Sequence, residues 1–371
     1  MDAFTKKILR NSQGKYEVTV LVGNGFDIGL GLNTRYSDFL DSYMKPDFPE
    51  RMNAIKAMKD EIRRQRDEVS DSWADAELAF AQLDFSSYPH KDGAIGALTE
   101  CEGDFTEALR CYLAEEEHRF YIPPERQNEA TKKFIIQLQY LLVPQIPRLN
   151  HVNRVNLEFF NFNYTSTLDK LLSGDVASLS QRETSGNQRC FTIGGVHHIH
   201  GQLSKRNIVF GIDDYTQIAD RKVYNASQQV GYLVKSKLDA TLQVNELESF
   251  NKRISESDMI MLFGLSYGSS DMSLWQSIFH AMRKEPLLDI VLCGYAEEPP
   301  PVRGAAMMQK MTELEQARFA TAMSNSYNFD IHEYASHLHV AGYDYYQSPS
   351  GNMVYSDPLG LEWFGHEFII R

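Results

Sequence analysis

Four short polar motifs could carry chemistry, and each lies at or soon after the end of a predicted strand. In an open α/β sheet, ligands bind in the crevice beyond the carboxyl ends of the strands. The positions of the motifs therefore predict one small-molecule site at that edge of a parallel sheet. The motifs are Gly23-Asn24-Gly25-Phe26-Asp27, Asn161-Phe162-Asn163-Tyr164-Thr165, His197-His198-Ile199-His200-Gly201 and Gly264-Leu265-Ser266-Tyr267-Gly268.

The first motif, at residues 23–27, joins an apolar strand to a helix. Glycines let backbone amides approach a pyrophosphate, and the helix end favours its negative charge. The spacing G-x-G-x-x-x-G differs from the dehydrogenase fingerprint, and no acid-tipped second strand follows about 20 residues later. A hydride-transferring Rossmann enzyme is therefore disfavoured. A tight turn without a ligand is the alternative interpretation.

Two further motifs supply polar groups that suit a nucleotide. The carboxamide of Asn163 can donate and accept hydrogen bonds, so it suits a ribose hydroxyl, a nicotinamide amide or a positioned water. The loop at Gly264 and Ser266 can hold a ribose or phosphate oxygen. Both motifs have a simpler interpretation as helix caps, for the helix that begins at Thr165 and for a plain strand-to-helix turn.

The third motif offers histidines, which are candidate general bases because they titrate near neutral pH. His200 is preferred because Gly201 and a predicted strand at 207–211 follow it. A structural histidine is the alternative interpretation. The histidine spacing resembles no common zinc site, and the four cysteines form no C-x-x-C pair, so we expect no metal.

The elements that position these motifs predict an α/β fold. Short apolar runs rich in β-branched residues are typical of strands covered on both faces, and a helical pattern follows one of them. This arrangement favours a Rossmann-like parallel sheet with helices on both sides. The predicted strands are 17–22, 155–162, 207–211, 258–263 and 289–293.

Between the first two strands the apolar spacing is helical, which predicts an α-helical lobe inserted at about 48–147. We therefore predict a single domain over 1–371. Its nucleotide-binding core covers about 15–47 and 151–296, and the segment 297–371 has no assigned role.

The whole-chain composition limits the class of protein. A net charge of -13 argues against a protein that coats nucleic acid, because phosphate binding needs clustered Lys and Arg. No apolar run approaches the roughly 20 residues that span a bilayer, and the N-terminus lacks a signal-peptide pattern. We expect a soluble, cytoplasmic protein with free thiols and no membrane partner.

The order of the four motifs resembles the sirtuin-like superfamily, which has a glycine-rich NAD loop, a T-x-N-x-D motif, a catalytic His-Gly and a G-T-S loop. The stretches VGNGFDIGLGLNTRYSDFL, FNFNYTSTLD, HIHG and FGID are similar to the bacterial AbiH abortive-infection family. The anchored resemblance runs from about residue 18 to 295 and implies a Rossmann-like fold of the sirtuin-like type.

The resemblance implies that the protein binds NAD as a substrate. It implies catalytic roles for His200, as general base, and for Asn163, which would hold the nicotinamide ribose or the attacking water. The implied positions for binding NAD are Gly23, Asn24 and Gly25 at the pyrophosphate, Asp27 at a ribose, and Gly264 and Ser266 at the adenosine ribose.

Two departures from the family pattern shape the predicted activity. Thr165 replaces the Asp of the T-x-N-x-D motif, and Asp169 or Asp27 could substitute for it. The four-cysteine zinc ribbon that sirtuin deacylation needs is absent, so deacetylation is not expected. The prediction is an NAD glycohydrolase.

The implied biological setting is antiphage defence. A phage-derived trigger, unknown from the sequence, would activate NAD hydrolysis to nicotinamide and ADP-ribose. A homo-oligomer or a partner defence protein could assist. Two alternatives remain: a non-catalytic nucleotide-binding module that signals to a partner, and a nucleic-acid toxin. The acidic charge and the lack of a nuclease carboxylate cluster disfavour the toxin.

Overall fold

The computed structural model describes residues 14–45, 53–69, 73–142, 152–175, 178–182, 188–230, 233–242, 246–293, 305–324, 330–341, 345–347, 353–355, 359 and 361–370. The strands are β1 (Lys15–Val22), β2 (Arg154–Asn161), β3 (Ser178–Arg182), β4 (Gln188–His198), β5 (Met259–Phe263), β6 (Asp289–Cys293), β7 (Leu338–Ala341), β8 (Tyr345–Gln347) and β9 (Met353–Tyr355).

The α-helices connect these strands or pack against them. They are α1 (Gly25–Gly29), α2 (Tyr36–Tyr43), α3 (Ala54–Glu68), α4 (Ala76–Ala81), α5 (Gly93–Arg119), α6 (Gln127–Leu142), α7 (Thr167–Leu172), α8 (Arg221–Val230), α9 (Lys235–Leu242), α10 (Glu246–Glu256), α11 (Met272–Lys284), α12 (Ala305–Ser324) and α13 (Leu361–Phe368).

The main sheet has the strand order β3-β4-β2-β1-β5-β6-β7 within the described residues. All of its pairings are parallel except that of β3, which runs antiparallel to β4 at one edge. Numbered along the chain, the parallel strands have the order 3-2-1-4-5-6 of a doubly wound Rossmann sheet. The predicted fold class, α/β with a Rossmann-like parallel sheet, is confirmed.

The strand register aligns the ends of the central strands. Val22, the last residue of β1, pairs with Asn161 on one side and with Phe263 on the other. Asn161 pairs in turn with His198 at the end of β4. The four polar motifs of the sequence therefore leave the sheet side by side, at the point where the strand order reverses.

Both faces of the sheet are covered, as its apolar strands require. On one face, Val20 and Val22 pack in a core that includes side chains of α1, α6, α7 and α13. On the other face, Leu21 and Phe160 pack in a core that includes side chains of α10, α11 and α12. Alternate residues of β1 thus serve opposite faces, as the two-residue period of a strand dictates.

The inserted lobe has a hydrophobic core of its own, built mainly from α2 to α5. Phe105 on α5 has its ring centroid 5.1 Å from that of Phe39 and 5.2 Å from that of Phe210. Because Phe210 follows the third motif in the chain, the lobe core is tied to the strand-end loops. The predicted lobe is helical in its described residues, although α6, at its end, packs on the sheet face instead.

The predicted strand at 207–211 is wrong. Asn207 to Gly211 has no strand pairing, although the N–H of Val209 donates to the carbonyl of His200 at 2.8 Å. The side chain of Phe210 packs in the lobe core instead of on a face of the sheet. An apolar run of this length cannot by itself distinguish a strand from a buried loop.

The structure adds elements that the sequence did not predict. Strand β4 carries the histidine motif and pairs with β2, with a register shift between Leu157 and Phe159. From the segment without an assigned role, β7 extends the sheet beyond β6, and α13 packs on the face that holds α1.

Among the described residues, no helix has both the length and the apolarity that a membrane span requires.

Candidate functional site

The loops that follow β1 and β5 touch through their backbones. The N–H of Gly23 donates to the carbonyl of Phe263 at 2.8 Å, and that of Gly25 donates to the carbonyl of Gly264 at 2.9 Å. A Cβ at Gly25 would lie only 2.5 Å from the Cα of Gly264. The glycines therefore serve this close contact, and their predicted role at a pyrophosphate stays a prediction.

Asn24, between these glycines, holds the chain that leads into α2. Its Nδ2 donates to the carbonyl of Thr34 at 2.8 Å, and the hydroxyl of Thr34 donates to its Oδ1 at 2.6 Å. These two hydrogen bonds give a structural reason for an asparagine in the first motif and a threonine ten residues after it. It also fixes residues 30–35 beside the site.

A cavity of about 150 Å³ lies between the strand-end loops and the lobe, and we call it the His200 cavity. Every sequence-predicted site residue except Gly25 lines it. The lobe contributes Asp75, Glu77, Leu109 and Leu113 to its wall. The volume suits one end of a dinucleotide, since pockets for whole drug-sized ligands measure about 300–1,000 Å³.

His200 is held rigidly in the cavity wall, where the residue is only 5% exposed. Its ring packs edge-on against Phe162, with centroids 5.6 Å apart. The following Gly201 has a φ of 76°, and a Cβ there would lie 1.9 Å from the carbonyl oxygen of Asn207. The local turn thus requires glycine at position 201, whatever the chemistry of the imidazole before it.

A buried ionic network stands behind His200. Nε2 of His200 lies 3.2 Å from Oδ1 of Asp271, close enough to pair when protonated, although it has no hydrogen-bond partner among the described residues. The Nζ of Lys235 is 2.6 Å from the same oxygen and 3.3 Å from Oε2 of Glu77. The chain of groups therefore runs from the imidazole to the lobe.

The charged groups in this network, together with their burial, shift the pKa values of its carboxyl groups. Burial tends to raise the pKa of the Asp271 carboxyl, but the Lys235 ammonium and the His200 imidazole hold it well below its usual range. Burial raises the pKa of Glu77, and Lys235 offsets only part of that effect. Asp271, more than Glu77, is therefore the carboxylate that stays ionised beside His200.

Asn163 is positioned by the loops around it. Its Nδ2 donates to the carbonyl of Gly23 at 3.1 Å, and its backbone N–H donates to Oδ1 of Asn161 at 3.0 Å. The residue is 7% exposed and lines the His200 cavity. Within the described chain its own Oδ1 accepts no hydrogen bond, so it is available to a ligand.

Asp27 lies beside the threonine that departs from the family motif. The hydroxyl of Thr165 donates to its carboxylate at 2.6 Å, and that of Thr167 donates to the other oxygen. Burial raises the pKa of Asp27 to about 6, although these hydroxyls lower it. Asp169, the other suggested substitute, does not line the cavity and lies 3.0 Å from Nε2 of His198. The structure thus places Asp27, not Asp169, next to Thr165.

Sequence reasoning missed the partners of His200. None of Asp271, Lys235 and Glu77 was predicted as a site residue. Glu77 and Lys235 are 158 positions apart in the chain, and each lies in an unremarkable helical stretch. No spacing pattern in a single sequence connects them.

The described residues also contain no cluster of three His, Cys, Asp or Glu side chains arranged to hold a metal.

Comparison with known proteins identifies the family of the chain. The chain matches no curated protein. A family model described as Bacteriophage abortive infection AbiH matches residues 19–290, which is more than half of the chain and includes every predicted site residue. That description suggests a function in abortive phage infection, whereas the sirtuin-like resemblance stays a prediction. The chain belongs to the AbiH family.

Proposed function

We propose that this protein cleaves the bond between nicotinamide and ribose in NAD during abortive infection, giving nicotinamide and ADP-ribose. The observation that carries the proposal is the His200 cavity itself. It brings His200, Asn163 and acidic side chains together at the switch point of a Rossmann-like sheet. Dinucleotides bind at this point in doubly wound folds.

The electrostatics of the cavity suit this reaction. Nicotinamide in NAD is a pyridinium cation, and C1′ of its ribose gains oxocarbenium character as the bond breaks. The cavity is lined by Asp27, Asp75, Glu77 and Asp271, of which Asp271 has a pKa held well below its usual range. Preorganised negative groups stabilise a developing positive charge in a buried site.

The bond changes balance without a metal or a redox partner. The C1′–N bond breaks, and its electron pair stays with nicotinamide, which leaves as a neutral molecule. A water oxygen bonds to C1′ and loses one proton to His200. The carboxylate of Asp271 stabilises the imidazolium that results, because it lies 3.2 Å from Nε2. Asn163 positions the water or the ribose hydroxyls with its carboxamide.

The alternative function is nucleotide binding without turnover, as a signal to a partner protein. It is supported by the burial of His200, whose Nε2 is turned to Asp271 in a small cavity. The two functions differ in whether nicotinamide is released.

Nicotinamide release from NAD by the purified protein tests the proposal. We expect His200→Ala and Asn163→Ala to lower the rate, by about 10²–10⁴-fold for the histidine as general base. His332→Ala is the matched control, because that histidine is exposed and lies outside the cavity. Equal activity of folded His200→Ala and wild type would contradict the assignment of His200.

Measurement of cellular NAD during phage infection tests whether activity depends on a trigger that is present only in infected cells. We expect cellular NAD to fall during phage infection with wild type and to hold with His200→Ala. If NAD stays constant in infected cells and purified protein binds ADP-ribose without cleaving NAD, the binding-module function replaces the enzyme.

A further inference from the structure

We infer that a second cavity, next to the His200 cavity, binds the diphosphate group of a nucleotide. It measures about 490 Å³ and is lined by Arg35, Arg66 and Arg318, so we call it the arginine cavity. The inference deepens the proposed function, on which it rests for the identity of the nucleotide, but binding can be measured without any cleavage.

The three arginines come from separate parts of the chain. Arg35 directly precedes α2, Arg66 lies in α3, and Arg318 lies in α12. Arg66 donates to Asp41 at 2.7 Å, and Arg318 donates to Glu315 at 3.1 Å. A guanidinium has five N–H donors, so one carboxylate leaves donors for a phosphate. Their convergence supplies the bidentate groups that phosphate oxygens favour.

The two cavities differ in the sign of their charge. Four acidic side chains line the His200 cavity, whereas the arginine cavity has three guanidinium groups and one carboxylate, Glu315. This basic surface lies in a chain with a net charge of -13. A ligand with an anionic and a cationic part therefore has one favourable orientation, with its phosphates in the arginine cavity.

The cavities adjoin, so one extended ligand can occupy both. They share six wall residues, which are Asn24, Tyr36, Ala74, Gly264, Leu265 and Ser266. Ser266 is exposed, at the boundary between them. The shared wall includes Asn24, from the loop expected at the pyrophosphate, and Gly264 to Ser266, from the loop expected at the adenosine ribose.

The glycine loop is poorly suited to hold the phosphates alone. The N–H groups of Gly23 and Gly25 already donate to the backbone of the β5 loop. Helix α1, which follows, has only five residues, so its dipole is short. The negative charge of a diphosphate therefore needs other partners, and the arginine cavity, which Asn24 and Gly25 also line, supplies them. Its apolar wall, at Ile28, Leu40 and Trp73, can contact the rest of the nucleotide.

Calorimetric titration of the purified protein with ADP-ribose tests this inference. We expect Arg66→Gln to weaken ADP-ribose binding by about tenfold or more, because a hydrogen bond to a charged group is lost. Binding of adenosine, which has no phosphate, should be unchanged. Arg318→Gln should act in the same direction, with circular dichroism to check its fold, because Arg318 pairs with the buried Glu315.

Arg64→Gln is the matched control. Arg64 lies on the same helix as Arg66, is exposed, pairs with Glu61 and Glu68, and does not line the cavity. We expect its ADP-ribose affinity to equal that of wild type. Equal affinities of wild type and Arg66→Gln, or no binding of ADP-ribose by wild type at millimolar concentration, would overturn the inference.

The outcomes separate this inference from the proposed function. Suppose that ADP-ribose binding depends on the arginines, but nicotinamide is released neither by purified protein nor in infected cells. That result would support the arginine cavity as a diphosphate site and contradict the proposed enzymatic function. Nicotinamide release with an unchanged KM for NAD in Arg66→Gln and Arg318→Gln would support the enzymatic function and contradict the diphosphate site.

Discussion

At the scale of single residues, Asp27 is unusual because it is fully buried and, among the described residues, forms no ion pair. Two threonine hydroxyls, from Thr165 and Thr167, donate to its carboxylate. Burial disfavours the ionised form of a carboxyl group, and a nearby cation can offset that effect. The Asp27 carboxyl therefore binds its proton more tightly in the folded protein than an exposed carboxyl does.

This burial predicts a pH dependence of stability. The pKa of Asp27 rises from 3.8 to about 6 on folding, so the folded protein binds the proton more tightly than the unfolded chain. The resulting stabilisation is complete below the ordinary pKa and is lost as the pH rises through about 6. The loss amounts to about 3 kcal/mol, since one pKa unit is worth about 1.36 kcal/mol.

Urea unfolding of wild type and Asp27→Asn between about pH 4 and pH 7 measures this dependence. We expect the free energy of unfolding of wild type to fall relative to that of the variant as the pH rises. The difference should level off above the raised pKa. Parallel pH profiles for the two proteins would show that Asp27 titrates as an ordinary carboxyl.

At the scale of elements, the contact between the β1 and β5 loops holds the site together. Gly264 has a φ of 64°, and a Cβ there would lie 2.7 Å from the Cα of Gly25. We expect Gly264→Ala to destabilise the protein by about 1–3 kcal/mol or more, because it adds left-handed strain to a backbone clash. Activity should fall as well, since this loop lines both cavities.

Thermal unfolding of Gly264→Ala beside Gly103→Ala tests this expectation. Gly103 is an exposed glycine within α5, and a Cβ there would meet no atom within 4 Å. Because glycine disfavours helices, Gly103→Ala should stabilise the protein by about 0.5–1 kcal/mol. Similar Tm shifts of the same sign for both variants would mean that the loop contact is not a constraint.

The elements that could be predicted from sequence are those with a continuous apolar pattern. Strands β1, β5 and β6 are buried along almost their whole length, so their apolar runs are distinctive. In β2 the polar Asn156 and Glu158 are partly exposed, but the apolar residues are buried. Strand β4 contains Gly194 and Gly195, which interrupt such a run. At 207–211 the apolar pattern indicated a strand, but burial of Phe210 in the lobe core competes with strand pairing.

At the scale of the whole molecule, part of the site depends on contacts that no local pattern encodes. The four motifs follow strand ends, and parallel strands bring those ends together, so the sequence alone could predict His200, Asn163 and Asp27 at one cavity. Glu77 comes from the lobe and Lys235 from the segment at 233–242. Only the tertiary fold, with the lobe docked on the strand ends and α9 beside the loop after β5, brings these two side chains to Asp271.

The same docking gives Lys235 a structural role that can be measured. Its Nζ lies 3.3 Å from Glu77 and 2.6 Å from Asp271, and it donates to the carbonyl of Ser270 at 3.0 Å. One buried ammonium thus connects the lobe, α9 and the loop after β5. Removing one partner of a buried ion pair costs about 3–5 kcal/mol, because the other charge is left unpaired.

A double-mutant cycle with Glu77→Gln and Lys235→Met tests whether lobe and sheet are coupled through this pair. We expect Lys235→Met to cost more free energy of unfolding than Glu77→Gln, because it leaves two carboxylates without their cation. The double variant should cost less than the sum of the single variants, with a coupling of about 1–3 kcal/mol. Additive costs would mean that the hydrophobic core around Phe105 and Phe210 holds the lobe in place without help from the ion pair.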